Sequence, residues 1–126
     1  MAYRVFVVED DSDLCVLIAK YLTRTGYHVE TALTGEDAWS AIGKTSDFPA
    51  VFIIDLSLPG MDGADLARRI LNVQPHTRIV LTSGYPVDLS GVGPAGSHVS
   101  FLLKPFPPDR LSEELNRITQ GIGSSP

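Results

Sequence analysis

The sequence predicts an α/β fold in which helices cover both faces of a five-stranded parallel sheet. Short apolar runs of strand length alternate with helix-like patterns along the chain, and this alternation is typical of β-α-β units. Four of these runs are almost continuously apolar, as expected for strands that are covered on both faces. The chain has 126 residues, which suits a single domain.

Five segments are predicted to be strands. Residues 27–32 alternate between polar and apolar side chains, which suits a strand nearer the edge of the sheet. The other four strands are the nearly continuous apolar runs at residues 4–8, 51–55, 78–82 and 100–104.

The first helix is predicted to follow the first strand. Asp11 or Ser12 can cap its start, and Gly26 can end it. Its apolar side chains are spaced three and four residues apart, which predicts that they share one helical face. These residues are Leu14, Leu17, Ile18, Tyr21 and Leu22.

Three later segments complete the predicted helices. Thr34 with Asp37 resembles a capping box that opens a second helix, which extends through Ile42. A third helix is marked by the apolar spacing within residues 66–71, and a last one begins at residues 107–109. The predicted inner-face residues of these two helices are Leu66, Ala67, Ile70, Leu71, Leu111, Leu115 and Ile118.

Residues 86–99 contain three glycines and two prolines, so a fourth helix there is expected to be short or irregular. With right-handed crossovers, the element order predicts a doubly wound, flavodoxin-like (βα)5 sheet with strand order 2-1-3-4-5. We expect one domain over residues 1–120 and a flexible tail or linker stump over residues 121–126.

The composition narrows the classes of partner and compartment. Asp and Glu number 15 against 10 Lys and Arg, and this net charge of −5 argues against binding nucleic acid or an anionic membrane. A single cysteine, Cys15, cannot form an internal disulfide and fits a reducing compartment. No run approaches the roughly 20 apolar residues that span a bilayer, and no secretory pattern is present. We therefore expect a soluble, cytoplasmic domain.

Polar side chains follow the predicted central strands at one edge of the sheet. Glu9 and Asp10 follow the first strand, Asp55 ends the third, Thr82 the fourth and Lys104 the fifth. Open α/β sheets bind ligands at this edge. Asp55 ends a run that is predicted to be fully buried, and burying a charge is costly unless it is paired or bound. The sequence thus predicts a functional site here.

The residue types at this edge suit phosphoryl chemistry. Three close carboxylates raise one another's pKa unless a cation joins them, and oxygen ligands suit Mg²⁺. A lysine ammonium and a threonine hydroxyl can both bind phosphoryl oxygens. A carboxylate can also act as a nucleophile and form an aspartyl phosphate.

Four segments in this order, "VFVVEDD", "VFIIDLSLPGMDG", "IVLTSGYP" and "FLLKPF", resemble the motifs of response-regulator receiver domains of two-component signalling. The resemblance covers residues 4–120, nearly the whole chain. It implies a phosphorylation-activated switch in a phosphorelay. Such a switch accepts a phosphoryl group from a sensor histidine kinase or a histidine phosphotransfer protein and requires Mg²⁺.

The resemblance also implies roles for individual residues. Asp55 would be the phosphoacceptor and a ligand of Mg²⁺. Asp10 would bind Mg²⁺ directly, and Glu9 would do so through water or in support. The backbone carbonyl of Ser57 would be the third protein ligand.

A second group of residues would act on the phosphoryl group and on the signal. Thr82 would hydrogen-bond that group and shift toward it on activation, and Lys104 would pair with it. The Lys104–Pro105 peptide bond would be cis. Phe101 stands where the family places an aromatic switch residue.

The sequence departs from the family at residues 86–99, where a well-formed fourth helix is usual. One hypothesis is that phosphorylation acts partly by ordering this segment. A phosphorylation-independent interaction module on the same fold stays open as the alternative. A Mg²⁺-dependent phosphatase is a further rival, but such enzymes often carry a second acid two residues after the nucleophile, where this chain has Ser57.

We expect a domain that catalyses only its own phosphorylation and dephosphorylation and is not an enzyme with a separate substrate. The downstream partner or output domain is not specified by the sequence. The chain suits a stand-alone regulator or a receiver from a longer protein, and this domain alone is not expected to bind DNA or a membrane.

Overall fold

The computed structural model describes residues 3–93 and 98–120, which form a parallel sheet with helices on both faces. The strands are β1 (Arg4–Val8), β2 (His28–Ala32), β3 (Val51–Asp55), β4 (Arg78–Ser83) and β5 (His98–Leu103). The helices are α1 (Ser12–Arg24), α2 (Gly35–Gly43), α3 (Gly63–Val73) and α4 (Pro108–Thr119).

The sheet has the strand order β2-β1-β3-β4-β5, and all neighbouring strands are parallel. This confirms the predicted doubly wound α/β fold. The predicted tail, residues 121–126, lies outside the described residues. No described helix has the length and apolar character needed to cross a membrane.

β1 and β3 have the predicted limits, and the limits of the other three strands differ from the predicted ones by one or two residues. β5 begins at His98 because that residue pairs with Arg78 at the start of β4. β5 ends at Leu103, so Lys104 lies just beyond it and not within it. The Lys104 N–H still donates to the Ser83 carbonyl at 2.8 Å, which aligns Lys104 with the end of β4.

The sheet separates two hydrophobic clusters because successive side chains of a strand point to opposite faces. Phe6 of β1 and Phe52 of β3 stack at 5.7 Å between ring centroids on the face covered by α2 and α3. Val5 and Val7 of β1 point to the opposite face, which α1 and α4 cover. All five residues of β3 are buried, so the central strand holds its last residue, Asp55, in a fixed place.

Short polar side chains start three of the helices by accepting backbone N–H groups that lack an intrahelical partner. Asp11 caps α1 and accepts from Asp13 and Leu14. Thr34 caps α2 through the N–H of Asp37 at 3.0 Å. The two alternatives for the first helix are thereby resolved in favour of Asp11.

The predicted inner face of α1 is confirmed except at Leu17, since Ile18 and Leu22 are buried and Leu14 and Tyr21 pack against the same cluster. Leu17 is 64% exposed, whereas Cys15 is buried. The helix packs on the sheet through Cys15, Ile18 and Leu22, whose spacing of three and four residues is as regular as that of the predicted set. Helical spacing allows either Leu17 or Cys15 beside Ile18 on this face, and packing against the sheet buries Cys15 and leaves Leu17 exposed.

The connection after β4 contains no helix in residues 84–93. Val92 is buried, and Leu89 packs beside it against the α2 and α3 side of the core. Arg68 of α3 also donates through Nε to the Gly91 carbonyl at 3.5 Å. These contacts anchor an irregular connection where the sequence predicts a short or irregular fourth helix; residues 94–97 lie outside the described part.

Candidate functional site

Strand ends bring five of the predicted site residues to one edge of the sheet. Glu9 and Asp10 follow β1, and Asp55 is the last residue of β3. Thr82 is the register partner of Asp55 on β4, and Lys104 directly follows β5. Parallel strands deliver their carboxyl ends to the same edge, where α/β sheets bind ligands.

Lys104 joins the two buried acids of this edge. Its Nζ donates to Glu9 Oε1 at 2.7 Å and to Asp55 Oδ2 at 3.1 Å. Glu9 is only 2% exposed and Asp55 3% exposed. The lysine thus supplies the positive charge that burial of two carboxylates requires.

Backbone N–H groups satisfy the remaining carboxylate oxygens. Ser57 N–H donates to Asp55 Oδ1 at 2.9 Å, and Asp11 N–H donates to Glu9 Oε2 at 3.1 Å. Neither donor was predicted from the sequence. The position of Asp11, two residues after Glu9 and at the cap of α1, was an available signal, because the chain turns there and the Asp11 N–H can reach the Glu9 carboxylate.

The two buried acids differ in proton affinity. Burial raises the pKa of Glu9 to about 7, although the hydrogen bond from Lys104 partly opposes this rise. Burial also tends to raise the pKa of Asp55, but the Ser57 N–H, Glu9 and Lys104 together bring it below its usual value. The pKa of Lys104 is raised, since its bonds to the two carboxylates outweigh the effect of burial. Asp55 is therefore the acid that stays ionised at neutral pH.

The acids also form a group that could hold a metal ion. Carboxylate oxygens of Glu9, Asp10 and Asp55 lie within 4.8 Å of one another, and Asp10 is exposed to solvent. A donor set made only of oxygen with access to water suits Mg²⁺, which keeps several waters when bound. The residues present thus fit this ion.

The loop after β3 is held close to Asp55. A Cβ on Gly63 would lie 2.2 Å from the Asp55 carbonyl oxygen, so only glycine allows this approach. Leu56 N–H donates to the Thr82 carbonyl at 2.8 Å and continues the contact between β3 and β4. Ser57 lies between these two fixed points, beside the carboxylate that its N–H binds.

The remaining predicted residues lie on β4, on β5 and directly after β5. Thr82 is buried, at 2% exposed. Phe101 is half-buried and packs with Leu89 against the α2 and α3 side of the core. The Lys104–Pro105 peptide bond is cis. The residues expected to act on the phosphoryl group and to signal therefore lie on two neighbouring strands, β4 and β5, and directly after β5.

Comparisons with known proteins agree with this geometry. A family model described as the response regulator receiver domain matches residues 5–116. The chain is 31% identical over 116 residues to the C4-dicarboxylate transport transcriptional regulatory protein DctD of Rhizobium meliloti, a match that covers 90% of this chain and 24% of DctD. It is 28% identical over 123 residues to the chemotaxis protein CheY of Thermotoga maritima, which covers 95% of this chain and all of CheY, 100%.

The chain spans about a quarter of the length of DctD and about half of the length of CssR. It is 30% identical over 121 residues to the transcriptional regulatory protein CssR of Bacillus subtilis, which covers 95% of this chain and 52% of CssR. The chain therefore corresponds to one part of DctD and CssR and to the full length of CheY.

Solved structures show the same fold. The chemotaxis response regulator CheY4 of Vibrio cholerae superposes with a TM-score of 0.82 at 26% identity, covering 94% of this chain and 99% of that one. The BeF3-activated DrrB receiver domain superposes with a TM-score of 0.79 at 26% identity, covering 95% and 99%. Because the family model matches most of the sequence and the sheet has the predicted strand order, the chain belongs to the response regulator receiver domain family.

Proposed function

We propose that this domain is a phosphorylation-activated switch of a two-component phosphorelay. It accepts a phosphoryl group on Asp55 from a phosphohistidine of a sensor histidine kinase or phosphotransfer protein, in a Mg²⁺-dependent reaction. The observation that carries this proposal is the buried, ionised Asp55 that Lys104 contacts beside Glu9 and Asp10. Membership of the receiver family supports it.

Asp55 supplies the nucleophile. One carboxylate oxygen attacks phosphorus, the new P–O bond forms, and the P–N bond to the donor imidazole breaks. The imidazole nitrogen keeps the bonding electrons and takes up a proton. The lowered pKa of Asp55 supports this step, since it keeps the attacking oxygen free of a proton at neutral pH.

Neighbouring side chains stabilise the phosphoryl group. The Lys104 ammonium already lies 3.1 Å from Asp55 Oδ2, so it is placed to pair with a phosphoryl oxygen carried by Asp55. Thr82 is the register partner of Asp55, and its hydroxyl can donate a hydrogen bond to another phosphoryl oxygen.

The acids and one backbone carbonyl would hold Mg²⁺. Asp10, Asp55 and the Ser57 carbonyl would bind it directly, and Glu9 would act through water or in support. When bound, the ion neutralises the charge that develops on the phosphoryl oxygens. Glu9, whose pKa is about 7, would give up its proton to the solvent as the ion binds.

The signal leaves through β4, β5 and the connection between them. Thr82 would shift toward the phosphoryl group, and Phe101 would move between buried and exposed packing. Because Phe101 and Leu89 share one cluster, this movement would reach the connection and help to order residues 86–99. A downstream protein or output domain would then read the altered surface as a two-state equilibrium.

The domain would turn over no separate substrate, and its chemistry would be limited to its own phosphorylation and dephosphorylation. A cytoplasmic location suits its single cysteine and its phosphohistidine donor. Its net charge of −5 disfavours direct binding to nucleic acid or anionic membranes.

The test is incubation with a small acyl phosphate or phosphoramidate and Mg²⁺, followed by intact-protein mass spectrometry. We expect one added phosphoryl group in the wild type and none in Asp55→Asn or in the presence of a chelator. Small phosphomonoesters should not be turned over. Failure of the wild type to gain a phosphoryl group would favour the phosphorylation-independent interaction module, and equal labelling of Asp55→Asn would exclude Asp55 as the acceptor.

A further inference from the structure

A side chain of α2 holds the loop that carries Ser57. Glu36, in the first turn of α2, accepts the N–H of Met61 through Oε2 at 2.9 Å. Met61 belongs to the loop between β3 and α3, which begins directly after Asp55. A contact between residues 25 positions apart therefore fixes the backbone next to the candidate metal ligands.

Two glycines make this contact possible. A Cβ on Gly60 would lie 2.5 Å from Glu36 Oε2, and Gly60 adopts a φ of +68°, which favours glycine. On the α2 side, a Cβ on Gly35 would lie 2.9 Å from the Met61 carbonyl oxygen. Glycine on both partners thus allows the carboxylate and the loop backbone to approach closely.

The loop is also held at its start, by Ser57, and at its end, by Gly63. Ser57 N–H donates to Asp55 Oδ1, and Gly63 packs against the Asp55 carbonyl. Between these two contacts, the hydrogen bond from the Met61 N–H to Glu36 connects the loop to α2. The backbone path that carries the Ser57 carbonyl is therefore determined from Asp55, from Gly63 and from α2.

We propose that Glu36 is a positioning residue for divalent-metal binding: by holding the Met61 N–H, it orients the loop so that the Ser57 carbonyl is ready to coordinate. Without this acceptor, the Met61 N–H would bond to water and the loop would sample more conformations. Ligands that are held in place before binding lose less conformational entropy when the ion arrives. The inference rests on the proposed function, because the Ser57 carbonyl is a metal ligand only there.

The test measures two quantities by amide NMR on the full chain: Mg²⁺ affinity, and hydrogen exchange of the Met61 amide without metal. For Glu36→Ala we expect Mg²⁺ affinity to be about three- to tenfold weaker. This effect is no larger than the smallest losses of metal affinity that follow mutation of residues hydrogen-bonded to metal ligands. Exchange of the Met61 amide should become faster. Glu36→Gln keeps an oxygen acceptor and should recover most of both values.

Asp37→Asn is the matched control, since it removes one negative charge from the same helical turn and leaves the Glu36–Met61 bond in place. It should bind Mg²⁺ like the wild type. Equal affinity in Glu36→Ala and wild type would overturn the inference while leaving the proposed function intact, and so would an equal loss in Asp37→Asn. A wild type that binds no Mg²⁺ would overturn the inference together with the metal-dependent reaction.

Discussion

At the scale of residues, the chemistry depends on how two buried carboxylates share one lysine. Lys104 contacts both Glu9 and Asp55, and the two acids lie close enough for one to favour the charged form and the other the protonated form. Asp55 also accepts a hydrogen bond from the Ser57 N–H, and it stays ionised. In the proposed reaction, this asymmetry would separate the nucleophile, Asp55, from a supporting acid, Glu9, before any ligand binds.

The raised pKa of Glu9 predicts that the metal-free protein loses stability as the pH rises. The folded state holds this proton up to about pH 7, whereas the unfolded chain releases it near the ordinary glutamate pKa of 4.5. The folded state therefore binds more protons in this window, and the free energy of unfolding falls by at most about 1.4 kcal/mol per pH unit. Asp55 has a lowered pKa, so its contribution to stability is lost only at more acid pH.

Urea unfolding in a chelator across this window checks the prediction. Glu9→Gln cannot titrate and should flatten the decline, whereas the exposed Glu113→Gln should retain it. Parallel pH profiles for the wild type and Glu9→Gln would contradict the account of Glu9.

We expect the metal-free protein to lose stability when Lys104 is replaced. Lys104→Met leaves two buried carboxylates without their common cation, and we expect a cost on the order of 2 kcal/mol at pH 8. The cost should shrink toward pH 5, where Glu9 can hold a proton. Urea unfolding measures it against Lys20→Met, an exposed site on α1, and equal losses in the two variants would contradict a specific role for Lys104.

At the scale of elements, glycines determine how closely the β3–α3 loop approaches Asp55. Gly63 leaves no room for a side chain, whereas a Cβ on Gly43, at the end of α2, would meet nothing within 4 Å. The same substitution therefore tests crowding at one site and open space at the other.

Gly63→Ala is expected to destabilise the fold by about 1–3 kcal/mol, because the new methyl must push the loop away from the Asp55 carbonyl. Gly43→Ala should be neutral or slightly stabilising, since it reduces the freedom of the unfolded chain. Urea midpoints compare the two variants. A Gly63→Ala protein as stable as Gly43→Ala would show that the loop can move without cost.

Sequence periodicity located the elements but not every buried face. In α1, helical spacing allows both Leu17 and Cys15 beside Ile18, and only packing against the sheet shows that Cys15 is buried and Leu17 exposed. Lys104 was placed in β5 but lies one residue beyond it, because the strand is limited by its register with β4.

At the scale of the whole molecule, the fold and the location of the site were predictable for the same reason. Apolar runs locate the strands, and a parallel sheet brings the residues after those runs to one edge, which places Glu9, Asp55 and Lys104 together. The contact of Glu36 with Met61 was not predictable, because nothing in the sequence spacing reports which loop lies against α2.

The connection after β4 determines how a signal could spread across the molecule. Residues 84–93 form no helix, yet Val92 and Leu89 tie them to the core that also contains Phe101. Leu81, which is next to Thr82 in β4, pairs with Phe101 and lies in the same core, so packed side chains lead from beside Thr82 to this connection. We propose that occupation of the site at Asp55 is transmitted along this route.

The most direct measurement is an amide NMR spectrum with Mg²⁺ and then with beryllofluoride, using Asp55→Asn as the control. The related DrrB receiver domain is activated by BeF3. We predict shifts at Glu9, Asp10, Thr82 and Lys104 that extend into residues 86–101 and are lost in the control. Shifts confined to the edge of the sheet would contradict transmission through the β4–β5 connection, and no response to either addition would contradict the phosphorylation switch itself.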